Sequence, residues 1–421
     1  MPTSSTPLRA PQLSVPRKVS LAVGIMLSLV AASPRSEAQP SPRGPEVVID
    51  PNAGSYTACP LIAGRRNGEA ALLWNRFEGG DSFALSVWYG EPNSQSGVTS
   101  TLADSADFGG LFAATFTTVP GGYRASWTRS LPPRYDRHFV STTVDLHGRR
   151  PPMERDLGRT YWRVELSARP RGGFVARWPT ARGLALQLLD DEGHALGAPS
   201  TIRVEGFFVV FRTSVLHQTD GSFVVLLSTG RSGEDGFVDL GLLGQRVDAR
   251  GRPIGRPYRL LSPRDNGFQY EISSLGPDGS LAIAATVSND SEQEELPTNS
   301  EVSLRIFTSE GLPLSPRIEI TPSTRSSRAE AVVVDPTGRV LLIWSAASTD
   351  GTSGRYHAQV FSPTGARLGE EFAFASEGSS YSFLYCASAD WAGDDWLIAW
   401  NASRPNLAPA QIFLRRFARD E

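Results

Sequence analysis

Short apolar runs recur along this chain, and each closes at a fixed distance from a turn residue. Six positions separate the two in Gly68/Trp74, Gly121/Trp127, Gly172/Trp178, Gly221/Leu227, Gly279/Ala285, Gly338/Trp344 and, with Asp in place of Gly, Asp394/Trp400. Successive anchors are 53, 51, 49, 58, 59 and 56 residues apart. One four-stranded sheet with its turns consumes about 50 residues when it is repeated as a radial array. The pattern therefore predicts an all-β chain, a single seven-bladed β-propeller of four-stranded antiparallel blades.

The unit from Ala329 to Ala375 shows the elements most clearly. Glu330 to Val334 reads as a first strand, Asp335-Pro-Thr-Gly338 as a turn and Val340 to Trp344 as a second strand. A polar loop follows, then a third strand from Tyr356 to Phe361, the turn Ser362-Pro-Thr-Gly365 and a last strand near Glu371 to Phe374. Glycine suits these turns because a tight hairpin demands positive φ. Second strands such as Ala71 to Trp74, Phe223 to Leu227 and Trp396 to Trp400 are apolar without alternation, as a sheet covered on both faces should be. A parallel α/β core would give similar runs, but it needs a 3.6-residue period between them, which this sequence lacks.

The seventh unit offers only three strands, Ser380 to Ala389, Trp396 to Trp400 and Ala410 to Phe417, and the chain stops four residues later. Ahead of the first unit, Glu46 to Asp50 is a strand-like run without a partner of its own. That run is expected to complete the last blade, so that the propeller is closed by the N-terminal strand. Cys59 lies 15 residues before Trp74 and Cys386 lies 14 before Trp400, equivalent positions in blades that are neighbours only if the ring closes. In an oxidising compartment the pair can bond across the seam, which stabilises by about 4–6 kcal/mol at most because so long a loop is closed. Two buried free thiols are the other reading.

Arg17 and Lys18 precede a run from Val19 to Ala32 that is apolar except for Ser20 and Ser28, and Ser36-Glu37-Ala38 presents small residues to a signal peptidase. Residues 1–38 read as a secretory signal, too short for a stable transmembrane helix. Residues 39–45 read as a short tether and 46–421 as the propeller. Cleavage after Ala38 predicts a secreted or periplasmic protein with no stable membrane insertion. It removes four basic residues and Glu37, which takes the formal net charge from −3 to −6. Lys18 is the only lysine, so the mature chain holds no Schiff-base, P-loop or general-base lysine. Scattered arginines in a mildly acidic total do not make the basic stripe that nucleic acid requires.

Gly221-Ser-Phe-Val-Val-Leu-Leu227, Val238-Asp-Leu-Gly-Leu-Leu-Gly-Gln-Arg-Val-Asp-Ala-Arg-Gly-Arg-Pro-Ile-Gly255 and their counterparts around Trp344 and Gly365 resemble a family of secreted bacterial β-propeller repeats. Units of that family run Gly-x-Phe-Val-Val-x-Trp, then an Ala-Gln-Arg-Phe-like strand, then a Gly-x-Pro-x-Gly turn. The match is good in units four and six, partial in three and five, and weak in one, two and seven; units four and five lack the Trp. The resemblance implies a surface or extracellular repeat protein. Its motif residues are packing and turn residues, and it carries no catalytic chemistry to named positions here.

The sequence offers little else that does chemistry. His138, His147, His194, His217 and His357 fall in no metal spacing, and there is no nucleophile elbow, CxxC pair or alternating-Asp calcium loop; no metal and no cofactor is expected. Ser348-Thr-Asp350-Gly approaches a sialidase Asp-box but lacks the closing aromatic. Five of the nine tryptophans are second-strand anchors, which leaves Trp88, Trp162, Trp391 and Trp396 for a surface role.

Function should gather on the longer connections between second and third strands, on one face of the disc. These are Asn75 to Ser82, Thr128 to His138, Ser228 to Phe237, Val287 to Glu301, Ser345 to Tyr356 and Asn401 to Gln411; the face of tight turns is expected to be plain. Arg129, Arg134, Tyr135 and Arg137 form a basic, aromatic set, opposed by Glu234, Asp235, Asp290 and Glu292, with Asp350 and Tyr356 beside them. Opposed charge across one face would orient a polar ligand. The expected protein is a monomeric, non-enzymatic binding propeller for a protein or glycan. The alternative is a polysaccharide hydrolase or lyase whose paired carboxylates, such as Asp136, Asp235 or Asp350, lie near the central channel about 5–10 Å apart.

Overall fold

The computed structural model describes residues 40–419 apart from 52–59, 80–81, 91–96, 105–110, 132–135, 146–154, 161–163, 181–182, 205–207, 234–235, 263–269, 289–299, 322–325, 348–353, 376–382 and 404–409. Its first strand, β1 (Val47–Asp50), belongs to the last blade. Blade 1 holds β2 (Leu61–Gly64), β3 (Ala70–Gly79), β4 (Ser82–Gly90) and β5 (Val98–Asp104). Blade 2 holds β6 (Leu111–Val119), β7 (Gly122–Leu131), β8 (Asp136–Asp145) and β9 (Arg155–Thr160). Blade 3 holds β10 (Glu165–Ala168), β11 (Phe174–Thr180), β12 (Gly183–Leu189) and β13 (Ser200–Arg203). Blade 4 holds β14 (Phe208–His217), β15 (Phe223–Gly233), β16 (Gly236–Val247) and β17 (Pro253–Leu261). Blade 5 holds β18 (Tyr270–Leu275), β19 (Leu281–Ser288), β20 (Ser300–Phe307) and β21 (Ile318–Glu319). Blade 6 holds β22 (Ser327–Val334), β23 (Val340–Ala347), β24 (Gly354–Phe361) and β25 (Arg367–Ala373). Blade 7 runs β26 (Phe383–Ala392), β27 (Asp395–Ser403), β28 (Gln411–Ala418) and then β1.

All seven sheets are antiparallel, and their first strands meet around the axis, β10 and β14 through Ser167 and His217, with β26 against β2 completing the circuit. The chain is a seven-bladed β-propeller. Six anchors are buried on second strands: Trp74, Trp127, Leu227, Ala285, Trp344 and Trp400. Trp178 is half-buried. Each apolar cluster joins two neighbouring blades, as Leu341 and Ile343 of blade 6 do with Trp396, Ile398 and Phe413 of blade 7. This two-sided covering is why the second strands carry no polar alternation. Trp88 and Trp396 also belong to the core, so a surface role for them is excluded; Trp391 is half-buried on β26 and Trp162 lies outside the described residues.

Closure follows the expected route and extends further. Val47, Val48 and Asp50 pair with Leu414, Phe413 and Ile412. Upstream, the Arg43 N–H donates to Arg416 O at 2.9 Å and the Ala418 N–H to Ser41 O at 2.8 Å. Residues expected as a tether thus lengthen the closing strand. Two side chains fasten it: Trp74 Nε1 donates to Asp50 Oδ2 at 3.0 Å, and Arg43 Nε lies 3.3 Å from Asp395.

At the first turns, Gly68, Gly121, Gly172, Gly221, Gly279 and Gly338 adopt φ between 82° and 103°, the region where only glycine avoids a steric cost. In blade 7 the first turn places Gly393 in the same region (φ 59°), one position before Asp394. The Gln of the repeat motif has a role that its sequence position does not announce. Gln187, Gln245 and Gln359, all buried, donate from Nε2 to the next carbonyl on their own strand and to a carbonyl of the fourth-strand segment: Gly197, Ile254 and Leu368. Beside Gln245 and Gln359 the ladder shifts register, and the amide supplies the donor that the shifted backbone cannot.

The connections between second and third strands depart from expectation. Asn75 and Arg76 pair with Leu85 and Ala84, Ser228 and Thr229 with Leu242 and Gly241, and Ser345 with Tyr356. Much of each expected loop is a two-stranded ribbon continuing the blade. The ladder needs only backbone groups, so polar side chains do not end it.

Candidate functional site

Several expected ligand residues fall outside the described set: Arg134, Tyr135, Glu234, Asp235, Asp290, Glu292 and Asp350. Arg129 and Arg137 lie on β7 and β8, opposite His138 and Ser130; their side chains are likewise outside it. Tyr356 is a correction. It is fully buried, its ring stacks on Phe374 at 5.4 Å and its hydroxyl donates to Asn401 O at 3.2 Å. Its alternation with Ala358 and Val360 turns it into the blade interface.

Two cavities stand out. The larger is a cleft of about 780 Å³ between blades 2 and 3, lined by Pro120, Gly121, Arg124, Ser141, Thr142, Thr143, Asp145, Arg155, Asp191 and Glu192. It opens beside first turns, on the face that the sequence marks as plain. The reason lies in the packing: among the described residues, Phe139, Leu166, Ala168, Phe174 and Ala176 form the buried cluster between these blades, and polar side chains line the cleft beside it. Arg124, with its guanidinium over the Phe174 ring at 5.2 Å, pairs with Asp191, and Arg155 pairs with Glu192 at 2.9 Å. The Gly173 N–H donates to Asp191 at 2.7 Å. Burial pushes the Asp191 carboxyl up, but this N–H and then Arg124 outweigh it and hold the group below the usual carboxylate range. Every charged group of the cleft except Gly-backed Asp191 reaches it from a different strand or turn, so sequence spacing alone could not assemble it.

The second cavity, about 340 Å³, is lined by Thr115, Ser167, Arg177, Ser214, Val215, Leu216 and Ser273. Six of these seven positions lie on the first strands β6, β10, β14 and β18, which places the cavity in the central channel. Ser167 Oγ and His217 Nε2 are 2.9 Å apart, the spacing of a nucleophile and its base. Burial, then Arg169 and Arg177, push the imidazole down to about 4, so it is a weak base at neutral pH.

Across the ring, burial pushes the Asp390 carboxyl up to about 6, against the N–H groups of Gly64 and Trp391 that donate to it at 2.8 Å. The two titrations oppose each other. His217 binds its proton less readily folded than unfolded, so it contributes stability above pH 6.5 that is lost as pH falls towards 4. Asp390 holds its proton more tightly folded, so it contributes stability below pH 3.8 that is lost as pH rises through 6. At about 1.4 kcal/mol per unit, each amounts to as much as roughly 3 kcal/mol, and together they flatten stability between pH 4 and 6. Urea unfolding across that range should therefore slope downward on acidification in Asp390→Asn and upward in His217→Gln. Parallel profiles for both variants would refute the assignment.

No family model and no curated protein matches the chain. Solved structures match in fold. The polysaccharide lyase Uly1 superposes with a TM-score of 0.52 at 9% identity, over 91% of this chain and 100% of that one. The β-propeller domain of the trilobed protease from Pyrococcus furiosus gives 0.49 at 10% identity, over 86% and 97%. An α-L-arabinanase from Penicillium chrysogenum gives 0.47 at 12%, over 77% and 99%. Identities this low show likeness of fold alone, and a fold assigns no chemistry.

Proposed function

We propose that this chain is an exported, monomeric binding propeller whose ligand is a hydroxyl-rich glycan taken up in the cleft between blades 2 and 3. The cleft carries the reading. Its ion-paired arginines and carboxylates, with Thr142 and Thr143 between them, offer donors and acceptors together, which is what a sugar hydroxyl uses. Asp191, held ionised, cannot store the proton that glycoside cleavage gives to a leaving group, which favours binding over hydrolysis here. Export rests on Arg17, Lys18 and the apolar run after them. It brings with it a Cys59–Cys386 disulfide: Cys386 is buried on β26 at the seam, and its sulfur does not stand free.

The test is a glycan array and a secreted-protein pull-down with the exported protein, whose intact mass should begin at Gln39 and be two hydrogens lighter than after reduction. Thr143, exposed on the cleft wall, is replaced in Thr143→Trp to plug the cleft, and Arg155→Ala removes one exposed cation. Both should cut glycan capture tenfold or more with stability changed by about 0.5 kcal/mol or less. Capture that survives both variants but is lost on trimming residues 289–299 would place binding on the opposite face and overturn the cleft.

A further inference from the structure

We propose that the channel cavity is a separate binding site for a small oxyanion, with Arg177 as its cation and Thr115, Ser167, Ser214 and Ser273 as its hydroxyl partners. Arg177 stands on β11, opposite Glu165, and reaches across to blade 4. Its Nε donates to Thr213 Oγ1 at 2.7 Å, and its Nη2 to Thr213 O at 3.0 Å and to Glu165 at 2.5 Å. These bonds fix the guanidinium plane. A guanidinium has five N–H donors, and both of those on Nη1 are left without a partner although the atom is buried. Thr115 Oγ1, on the wall of the same cavity, is also buried without a partner.

A buried donor left unmade costs more than a made bond returns, and here two such groups border one cavity. A bound acceptor that carries negative charge answers both. The two neutral hydroxyls of Ser214 and Ser273 complete the lining from blades 4 and 5. Glu165 balances the charge of Arg177 from one side only, and its side chain is 42% exposed, so solvent screens it more than it screens the buried guanidinium. His217 reports the resulting field. Beyond burial, the Arg169 and Arg177 guanidiniums keep this ring neutral, and it touches Ser167 of the cavity wall. A space of about 340 Å³ admits a carboxylate, sulfate or phosphate with a body of a few atoms, and excludes a polymer.

Binding and protonation at such a site are reciprocal: an anion that offsets Arg177 must raise the affinity of His217 for its proton, and the protonated ring must tighten the anion by the same factor. The experiment follows the His217 ring signals by NMR from pH 3.5 to 7 in the full mature chain. Sodium acetate, sodium sulfate and sodium phosphate are the probes, with sodium chloride at matched ionic strength as reference. A bound oxyanion should raise the His217 midpoint by about one unit, a tenfold change in proton affinity. A response to acetate alone identifies a carboxylate ligand, and a response to sulfate and phosphate alone a tetrahedral one. Thr115→Val and Ser273→Ala leave the Arg177–Glu165 pair intact and should weaken the response severalfold, whereas Arg177→Met should abolish it. A His217 midpoint that is the same in all three salts as in chloride overturns the proposal.

Discussion

Removing residues 40–50 should leave a chain that no longer unfolds in one cooperative transition and that associates in solution. Three losses coincide. The ladder from β1 to β28, with its upstream extension at Ser41 and Arg43, disappears. Trp74 Nε1 and Asp395 each lose a partner at the seam. The edge of β28 becomes an unpaired row of donors and acceptors, a template for other chains. Thermal unfolding followed by near-ultraviolet circular dichroism, with light scattering alongside, reads both effects. A synthetic peptide of residues 40–50 should restore the cooperative transition in trans, because it re-forms the same strand pairing. A truncated chain that stays monomeric and melts like the full one would show that closure contributes nothing.

The second large effect is expected at Asp335. This carboxylate in the first turn of blade 6 is fully buried. Its Oδ1 accepts from the Thr337 N–H at 2.8 Å, the Thr337 hydroxyl at 2.6 Å and the Arg339 N–H at 3.0 Å. Its Oδ2 faces Arg339 Nε at 3.2 Å and Arg419 Nε at 3.3 Å. Thus one side chain ties a turn of blade 6 to the C-terminal segment. Asp335→Ala strands two largely buried guanidiniums and should cost about 3–5 kcal/mol in urea unfolding. Asp335→Asn keeps an oxygen for the turn but no charge for the arginines, and should fall between the two. A loss for Asp335→Ala no larger than about 1 kcal/mol, the typical worth of an exposed pair, would show that the cluster is solvated and not structural.

Much of this architecture could be read before any coordinates, and the boundary has physical causes. Burial between two blades leaves a periodic mark, so Trp74, Trp127, Trp344 and Trp400 declared themselves by spacing. Positive φ leaves a glycine, and the missing fourth strand of the last unit pointed to β1. Other features leave no local mark. The ribbons at Asn75–Ala84 and Ser228–Leu242 rest on backbone pairing to which side-chain polarity is indifferent. The cleft exists because blade 3 presents Asp191 to Arg124, 67 positions away, a meeting set by how blades stack. Tyr356 was misread because it follows a polar stretch, although its period-two relation to Ala358 and Val360 was visible. The channel site was missed because serine and threonine on a first strand look like ordinary edge residues until four strands converge.

Val47 pairs with Leu414, 367 positions later, and this sets an order in time. No blade other than the last depends on both ends of the chain, so six sheets can form from contiguous sequence while the ring stays open. Loop-closure entropy makes so distant a pairing slow. A contact made that late lies on the native side of the folding barrier, where it slows opening more than it speeds closing. The seam is then a latch: it governs how long the finished ring lasts, and hardly at all how quickly its blades are made.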